Sequence, residues 1–373
     1  MTANSFAVAA EVSDLEEAEG TERTSAHDRM RRMKLVHLIA LGVCLSVPVL
    51  AQEQGRGRGA QQDFGQPQPA RPVTVTAIPG VVAAGATWTQ AWAGTDNADG
   101  ILGTPDGGLL FAQEQPRRVS RLDPDNRVSV YAENTNGAGS LALDAKGRLI
   151  AVQRTCTDPG LRLASPCADP PNISIIHPAA ERKLLADNLQ GKPLGRINDA
   201  VVARDGGVYF TSGGAFYVSP TGDVRAIGQN LRTNGVMLSP DEKTLYITNG
   251  GTVVAFDVGA NGVVSNQRDF AKLEAGGNGD GLAVDAAGRL YVTSAPGVQV
   301  FAPDGRYLGL IPTPRNVISV AFSGPDKKTL YVVGGGGVDA NGREMTTPPG
   351  VRNNAKSIFR IPMIAEGFRG RAK

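Results

Sequence analysis

Residues 239–248 read SPDEKTLYIT, a short acidic turn followed by a polar pair and an apolar strand. This pattern occurs six times, and the residues that begin the strands are 40, 59, 37, 45 and 40 positions apart. The other copies are TPDGGLLFAQ (104–113), LDAKGRLIAV (143–152), ARDGGVYFTS (203–212), VDAAGRLYVT (284–293) and GPDKKTLYVV (324–333). A repeat of about 40 residues predicts an architecture in which each copy is one supersecondary unit.

Each copy continues into a second pair of apolar segments. The joining turns, such as 124–126, 221–223 and 303–305, carry the Pro, Asp, Asn and Gly residues that β-hairpins favour. Two hairpins per repeat predict a four-stranded antiparallel blade, and six such blades predict an all-β, six-bladed β-propeller. The sixth copy lacks an outer strand after SIFRIPM (357–363), and we expect the extended segment 73–92 to supply it and close the ring.

The N-terminal region has the pattern of a targeting segment. Arg31 and Arg32 precede the apolar run LVHLIALGVCLSVPVL, and Ala51 ends a small-residue cleavage pattern. We therefore expect a signal peptide at 30–51 and a periplasmic or secreted protein; a membrane anchor is the alternative. Residues 1–29 are interpreted as a non-native upstream extension.

A segment rich in Gly, Gln and Pro follows the predicted signal. Residues 52–72 lack the apolar residues needed for a core, so they predict a flexible linker ahead of a propeller at 73–373. Cys156 and Cys167 are the two cysteines of the predicted mature chain. In an oxidising compartment they predict a disulfide within an insertion in the second repeat, and two free thiols are the alternative.

Composition excludes several classes of function. The net charge is +2 without a basic block in the repeats, so a nucleic-acid surface is not expected. Only three histidines occur, and His177 alone lies beyond the predicted signal, at a position interpreted as a rim or outer strand. A catalytic triad or a histidine-rich zinc site would have to rely on His177 alone. We therefore expect any metal chemistry to use oxygen ligands, as calcium does.

Four polar segments stand about one short strand ahead of the turn motifs of their repeats. They are Asp99-Gly100, Arg196-Ile197-Asn198-Asp199, Thr233-Asn234-Gly235 and Gly279-Asp280-Gly281. The common distance between each segment and its turn motif would bring these side chains to one level around the central tunnel of the propeller, where the inner strands of the blades meet. Asn or Asp beside Gly is also an ordinary turn, and Arg196 could be a surface cation, so the spacing alone leaves both interpretations open.

With these segments in order, the chain resembles the SMP-30/gluconolactonase/LRE-like family over about residues 96–334. The resemblance implies that one divalent metal is held by Asp99, Asn234 and Asp280. It also implies that Asn198 faces metal or substrate and that Arg196 touches substrate. Calcium is favoured, with zinc, magnesium or manganese possible. The implied activity is a hydrolase that opens a small lactone, such as gluconolactone, with a water activated by the metal and by Asp280.

Some residues depart from the family pattern. The acidic residue of blade one is usually Glu followed by Gly-Pro, whereas Asp99 is one methylene shorter. Gln153-Arg154-Thr155 replaces a histidine-containing segment. A non-catalytic, calcium-stabilised propeller that binds a sugar or a partner protein is therefore the main alternative, and phosphotriester hydrolysis is another. For the lactonase we expect a monomer, a small polar substrate and no membrane contact after signal cleavage.

Overall fold

The computed structural model of the protein describes residues 69–156, 167–346 and 353–370. All of them belong to one compact unit. The predicted upstream extension, the signal peptide and most of the linker lie outside the described residues. Two three-residue 3₁₀ turns, Ala179–Glu181 and Ala260–Gly262, are the only helical segments within the described ranges. No helix in these ranges has the length and apolar character needed to cross a membrane.

Six sheets of four antiparallel strands confirm the predicted propeller. The chain enters through β1 (Thr89–Gly94), which belongs to the last blade. Blade one contains β2 (Ile101–Gly103), β3 (Leu109–Gln113), β4 (Arg118–Leu122) and β5 (Val128–Glu133). Blade two contains β6 (Ala138–Leu143), β7 (Leu149–Gln153), β8 (Asn172–His177) and β9 (Lys183–Ala186). A ribbon of β10 (Asn188–Leu189) and β11 (Lys192–Pro193) follows, which the sequence did not predict.

The remaining blades repeat the same order of strands. Blade three contains β12 (Ala200–Val202), β13 (Val208–Ser212), β14 (Gly214–Val218) and β15 (Val224–Ile227). Blade four contains β16 (Thr233–Leu238), β17 (Thr244–Asn249), β18 (Thr252–Val258) and β19 (Val264–Lys272). Blade five contains β20 (Leu282–Val284), β21 (Leu290–Ser294), β22 (Gly297–Phe301) and β23 (Tyr307–Pro312). Blade six contains β24 (Val317–Ser323), β25 (Thr329–Gly335) and β26 (Lys356–Pro362).

The N-terminal strand closes the ring as predicted. β1 pairs with β26 from Thr89 opposite Arg360 to Gly94 opposite Lys356, so it is the outermost strand of blade six. The indole N–H of Trp88 donates to the carbonyl oxygen of Pro312 at 2.8 Å, which ties the incoming segment to blade five. The first and last parts of the propeller are therefore held together within one sheet.

Burial follows the position of each strand within its blade. The second strands β3, β7 and β21 are buried at every position, because each blade packs face to face against two neighbours. The fourth strand β5 is exposed at four of its six positions. The inner strands β2, β6, β12, β16, β20 and β24 contact one another in a closed circle. Side chains at the start of these inner strands therefore point toward a common axis.

Candidate functional site at the tunnel mouth

The four predicted ligands stand where inner strands begin. Asp99, Asn198 and Asp280 lie just before β2, β12 and β20, and Asn234 is the second residue of β16. The first three make equivalent backbone hydrogen bonds to the ends of the second strands. The bonds run from Asp99 N to Ala112 O (3.1 Å), from Asn198 N to Thr211 O (2.7 Å) and from Asp280 N to Thr293 O (2.9 Å). This repeated geometry fixes three polar side chains at the same level of the tunnel.

The structure brings these four side chains into one cavity. Asp99, Asn198, Asn234 and Asp280 all line a space of about 10 Å³, with blade two contributing Arg154. A space of this size holds about one water molecule or one ion. The predicted ligands therefore surround a single small site rather than lying scattered over the tunnel mouth.

Gly235 allows blades four and five to meet at this site. A Cβ atom at this position would overlap the carbonyl oxygen of Asp280. The amide N–H of Gly235 donates to the Thr248 hydroxyl at 2.7 Å, which holds the start of β16 in place. The glycine of the Thr233-Asn234-Gly235 segment thus has a packing role, while the adjacent Asn234 side chain faces the cavity.

Asp199 also lines the cavity, but its carboxylate accepts hydrogen bonds from residues of the two neighbouring blades. One oxygen accepts from the Ser140 hydroxyl at 2.6 Å, and the other accepts from the amide N–H of Val236 at 3.0 Å. Because Ser140 belongs to blade two and Val236 to blade four, Asp199 links three consecutive blades. We interpret it as a residue that holds the inner strands together.

Arg196, the predicted substrate-binding residue, lies at the rim of the tunnel. Its guanidinium makes two parallel bonds to Glu114, of 3.0 Å to Oε1 and 2.9 Å to Oε2. Glu114 is fully buried, whereas the side chain of Arg196 is 37% exposed. The buried carboxylate therefore fixes the orientation of an arginine that still reaches solvent.

Arg154 brings a second guanidinium into the site. It follows β7 directly, and its Nη1 atom forms an ion pair with Oδ2 of Asp99. The same nitrogen lies 3.9 Å from Oε2 of Glu114. The cation of Arg154 thus lies between one predicted ligand and the carboxylate that orients Arg196.

The electrostatics of the cavity show an excess of negative charge. Burial raises the pKa of the Asp280 carboxyl well above its ordinary value, and the carboxylates of Asp99 and Asp199 raise it further. Arg154 and a hydrogen bond from Asn234 oppose this shift. Like charges that share a desolvated site favour uptake of a proton or of another cation.

The residues present fit a hard divalent cation. Three carboxylates and one guanidinium line the cavity, which leaves two formal negative charges when all are ionised. The described residues contain no cluster of three His, Cys, Asp or Glu side chains arranged to hold a metal ion. The donor set would therefore combine the Asp99 and Asp280 carboxylates with amide oxygens, a combination that suits calcium better than zinc.

Two residues of the site were not predicted as functional, Glu114 and Arg154. They occupy equivalent positions, directly after the second strands of blades one and two. Gln113 ends β3, and the next residue, Glu114, is a buried carboxylate. Aligning the ends of all second strands would have revealed both residues.

The remaining predicted residues lie beside the site or away from it. Cys156 and Cys167 are joined by a disulfide, with Cα atoms 5.8 Å apart. This bond begins two residues after Arg154, at the tunnel mouth, and spans residues 157–166, which lie outside the described ranges. His177 ends β8 and packs against Tyr131 with tilted rings whose centroids are 4.4 Å apart, away from the cavity.

The family described as SMP-30/gluconolactonase/LRE-like region matches residues 83–335. The chain belongs to this family. The match spans all four polar segments, from Asp99 to Asp280, and the second strand of every blade, from β3 to β25.

Several relatives are lactonases by name. A gluconolactonase of Zymomonas mobilis is 31% identical over 281 residues, which cover 63% of this chain and 75% of the relative. Pentonolactonase XacC of Haloferax volcanii is 30% identical over 273 residues, which cover 69% and 88%. Among solved structures, a gluconolactonase of Xanthomonas campestris superposes with a TM-score of 0.61 at 24% identity, covering 80% of this chain and 98% of that one. The last comparison supports the fold.

Proposed function

We propose that the protein is an exported lactonase-type hydrolase that opens a small sugar-acid lactone with the help of one divalent cation, for which calcium is favoured. The observation that carries the proposal is the convergence of Asp99, Asn198, Asn234 and Asp280 on one cavity with an excess of negative charge. Its chemical class is supported by relatives named gluconolactonase and pentonolactonase at about 30% identity.

We assign the reaction to the following residues. Asp280 accepts a proton from the attacking water, whose oxygen forms a bond to the carbonyl carbon of the lactone. The ring C–O bond then breaks, and the ring oxygen leaves as a hydroxyl group after taking up that proton. The product is an open hydroxy acid, which ionises at neutral pH. A bound divalent cation supplies Lewis acidity, which makes a carbonyl carbon more electrophilic and a water more acidic.

Arg196 and Asn198 are the residues that we assign to substrate binding. Arg196 is held by Glu114 at 2.9 Å and keeps an exposed side at the rim, where lactone hydroxyls can accept its hydrogen bonds. Asn198 lines the cavity together with Asp280. A substrate between Arg196 and Asn198 would place its carbonyl close to Asp280.

The proposal is tested by hydrolysis and by cation dependence together. The purified mature chain is stripped with a chelator and assayed by pH-stat against glucono-, pentono- and uncharged aliphatic lactones, with one phosphotriester as a separate arm. We expect acid release from a sugar lactone that is lost on chelation and restored by calcium, magnesium, manganese or zinc. A chain that binds a cation and hydrolyses none of the lactones would favour the binding propeller instead.

Two variants connect this activity to the cavity. Asp280→Asn removes the proton acceptor and one anionic donor, and Asn234→Ala removes an amide oxygen, so each should lower kcat by about 100-fold or more. Asp304→Asn is the matched control, because Asp304 lies in an exposed turn of blade five and bonds the amide N–H of Arg306 at 3.0 Å. Equal activity of all three variants would assign the chemistry to another site.

Export is supported by the predicted signal at 30–51 and by the disulfide between Cys156 and Cys167, which suits an oxidising compartment. N-terminal sequencing of the protein from its natural host should give a chain that begins near Gln52. A mature chain that contains residues 16 and 17 would contradict the proposed cleavage.

A further inference from the structure

Arg154 is a buried cation inside the proposed cation site. It is 4% exposed, and its backbone N–H donates to the carbonyl oxygen of Gly137 at 2.7 Å. Its side chain crosses Gly139 of β6, where a Cβ atom would overlap the guanidinium. Because Gly139 has no side chain, the Arg154 side chain has room to reach the tunnel axis.

The contacts of Arg154 extend over three blades. Nε donates to the carbonyl oxygen of Ile197 at 2.9 Å. Nη2 donates to the backbone oxygen of Asn198 and lies 3.2 Å from its side-chain oxygen. Nη1 pairs with Oδ2 of Asp99, with Glu114 nearby. A guanidinium therefore contacts oxygens of two of the four residues proposed to hold the divalent cation.

We propose that Arg154 is a built-in competitor of the divalent cation for the oxygens of Asp99 and Asn198, and that it lowers the affinity of the site so that the ion exchanges readily. This inference rests on the proposed function, since it concerns the same cavity. It adds that Arg154 sets the affinity of the cavity for the divalent cation. The lactonase would then respond to the free cation concentration instead of holding its ion permanently.

The competition between Arg154 and the divalent cation arises from their charges. Two positive charges compete for the same carboxylate when they lie within a few ångströms in a site that water does not screen. A guanidinium within about 4–6 Å of a carboxyl group lowers its pKa by roughly one to three units, because it stabilises the carboxylate against uptake of a cation. A penalty at the lower end of this range on a bound divalent cation predicts that removal of the guanidinium tightens cation binding about 10- to 100-fold.

A positioning role for Arg154 would predict the opposite change in cation affinity. If Arg154 only held Asp99 in a ligating orientation, its removal would loosen the carboxylate and weaken cation binding. The two roles thus differ in the sign of the change in affinity. They differ also in what a lysine at this position would do, because lysine keeps the charge and loses the planar fork.

The experiment is calorimetric titration of the chelator-stripped mature protein with calcium and with manganese, which requires no substrate. Arg154→Met is compared with the wild type and with Arg154→Lys. We expect the dissociation constant to fall about 10- to 100-fold in Arg154→Met and to stay near the wild-type value in Arg154→Lys. Arg315→Met is the matched control, because Arg315 is also 4% exposed and pairs with Glu344, and it does not line the cavity.

Folding is a concern for Arg154→Met, because Asp99 and Glu114 lose a counter-charge. The double variant Arg154→Met with Glu114→Gln removes one anion along with the cation and serves if the single variant does not fold. It too should bind calcium more tightly than the wild type. Unchanged or weaker binding in a folded variant overturns the competitor role while the wild type still binds. Absence of binding in the wild type and all variants overturns the proposed cation site itself.

Discussion

At the scale of single residues, the site is defined by a shortened acid, Asp99. Asp99 reaches the cavity and pairs through Oδ2 with Arg154, yet it is one methylene shorter than a glutamate. Its position just ahead of β2 matches that of Asp280 ahead of β20. The two carboxylates therefore approach the cavity from blades one and five along similar backbones.

Asp99→Glu tests whether this carboxylate belongs to the proposed cation site. The longer side chain should extend beyond the guanidinium into the cavity, so calcium affinity should be kept or increased by up to about tenfold, or 1.4 kcal/mol. Calorimetric titration measures it, with Asp96→Glu as control, because Asp96 is exposed and pairs with Arg118 at 3.3 Å. A complete loss of binding would mean that Asp99 does not hold the ion.

Individual residues differ in how well the sequence predicts their place. Asp99, Asn198, Asn234 and Asp280 share an offset from the repeat motif, so their convergence follows from the register of the blades. Arg154 does not share this offset: the end of β7 marks it as a charged residue, but its guanidinium reaches the cavity because Gly139 leaves space in the neighbouring strand. That contact depends on side-chain packing across strands, which a repeat pattern does not contain.

At the scale of elements, the closing strand β1 is the one that joins distant parts of the chain. Trp92 on β1 packs against Phe111 of blade one, with ring centroids 4.9 Å apart. The two tryptophans of the chain, Trp88 and Trp92, both lie on the closing segment. The intrinsic fluorescence of the protein therefore reports on closure of the ring.

Trp92→Ala should weaken this closure. Loss of the indole removes packing between blades six and one, and truncation of a large aromatic at a partly buried position costs about 2–4 kcal/mol. Urea unfolding monitored by circular dichroism and by the remaining fluorescence of Trp88 measures the change. Val128→Ala, at a 47% exposed position on β5, should change the free energy of unfolding by less than about 0.5 kcal/mol. A Trp92 effect as small as that of Val128 would show that closure does not depend on this contact.

At the scale of the whole molecule, the two ends of the tunnel have different chemistry because all inner strands run in the same direction. The polar segments precede these strands and meet at one end, where the carboxylates gather. The acidic turns of the repeats follow the inner strands and surround a second cavity at the opposite end, together with Lys327 and Arg369. The sequence predicts that the polar segments and the acidic turns lie at opposite ends of the tunnel, since each of the four polar segments stands one short strand ahead of the turn motif of its repeat. The ribbon β10–β11 lies outside the repeat and for that reason was not predicted.

Lys327 makes the stability of the whole propeller depend on pH. It is 8% exposed, its Nζ donates to the carbonyl oxygen of Phe322 at 3.3 Å, and it forms no ion pair with another described residue. Burial, with a smaller contribution from Arg369, lowers the pKa of Lys327 to about 8 from its ordinary 10.5. Below about pH 8 the Lys327 amine is therefore charged in both states, but its charge is buried in the folded state and solvated by water in the unfolded state. Between about pH 8 and 10.5 the unfolded chain binds a proton that the folded one has released, so this group makes stability rise with pH.

Replacement of this amine should remove that dependence. Lys327→Met should raise the free energy of unfolding at pH 7 by up to about 3 kcal/mol, since a shift of one pKa unit corresponds to about 1.4 kcal/mol. Its advantage over the wild type should shrink as the pH rises from 8 to 10, and the difference between the two proteins cancels the titration of tyrosines common to both. Lys328→Met, the change at the adjacent exposed lysine, is the matched control. Urea unfolding at half-unit steps of pH measures the difference in the free energy of unfolding between the two proteins. If this difference stayed constant from pH 7 to 10, Lys327 would be charged in both the folded and the unfolded state throughout that range.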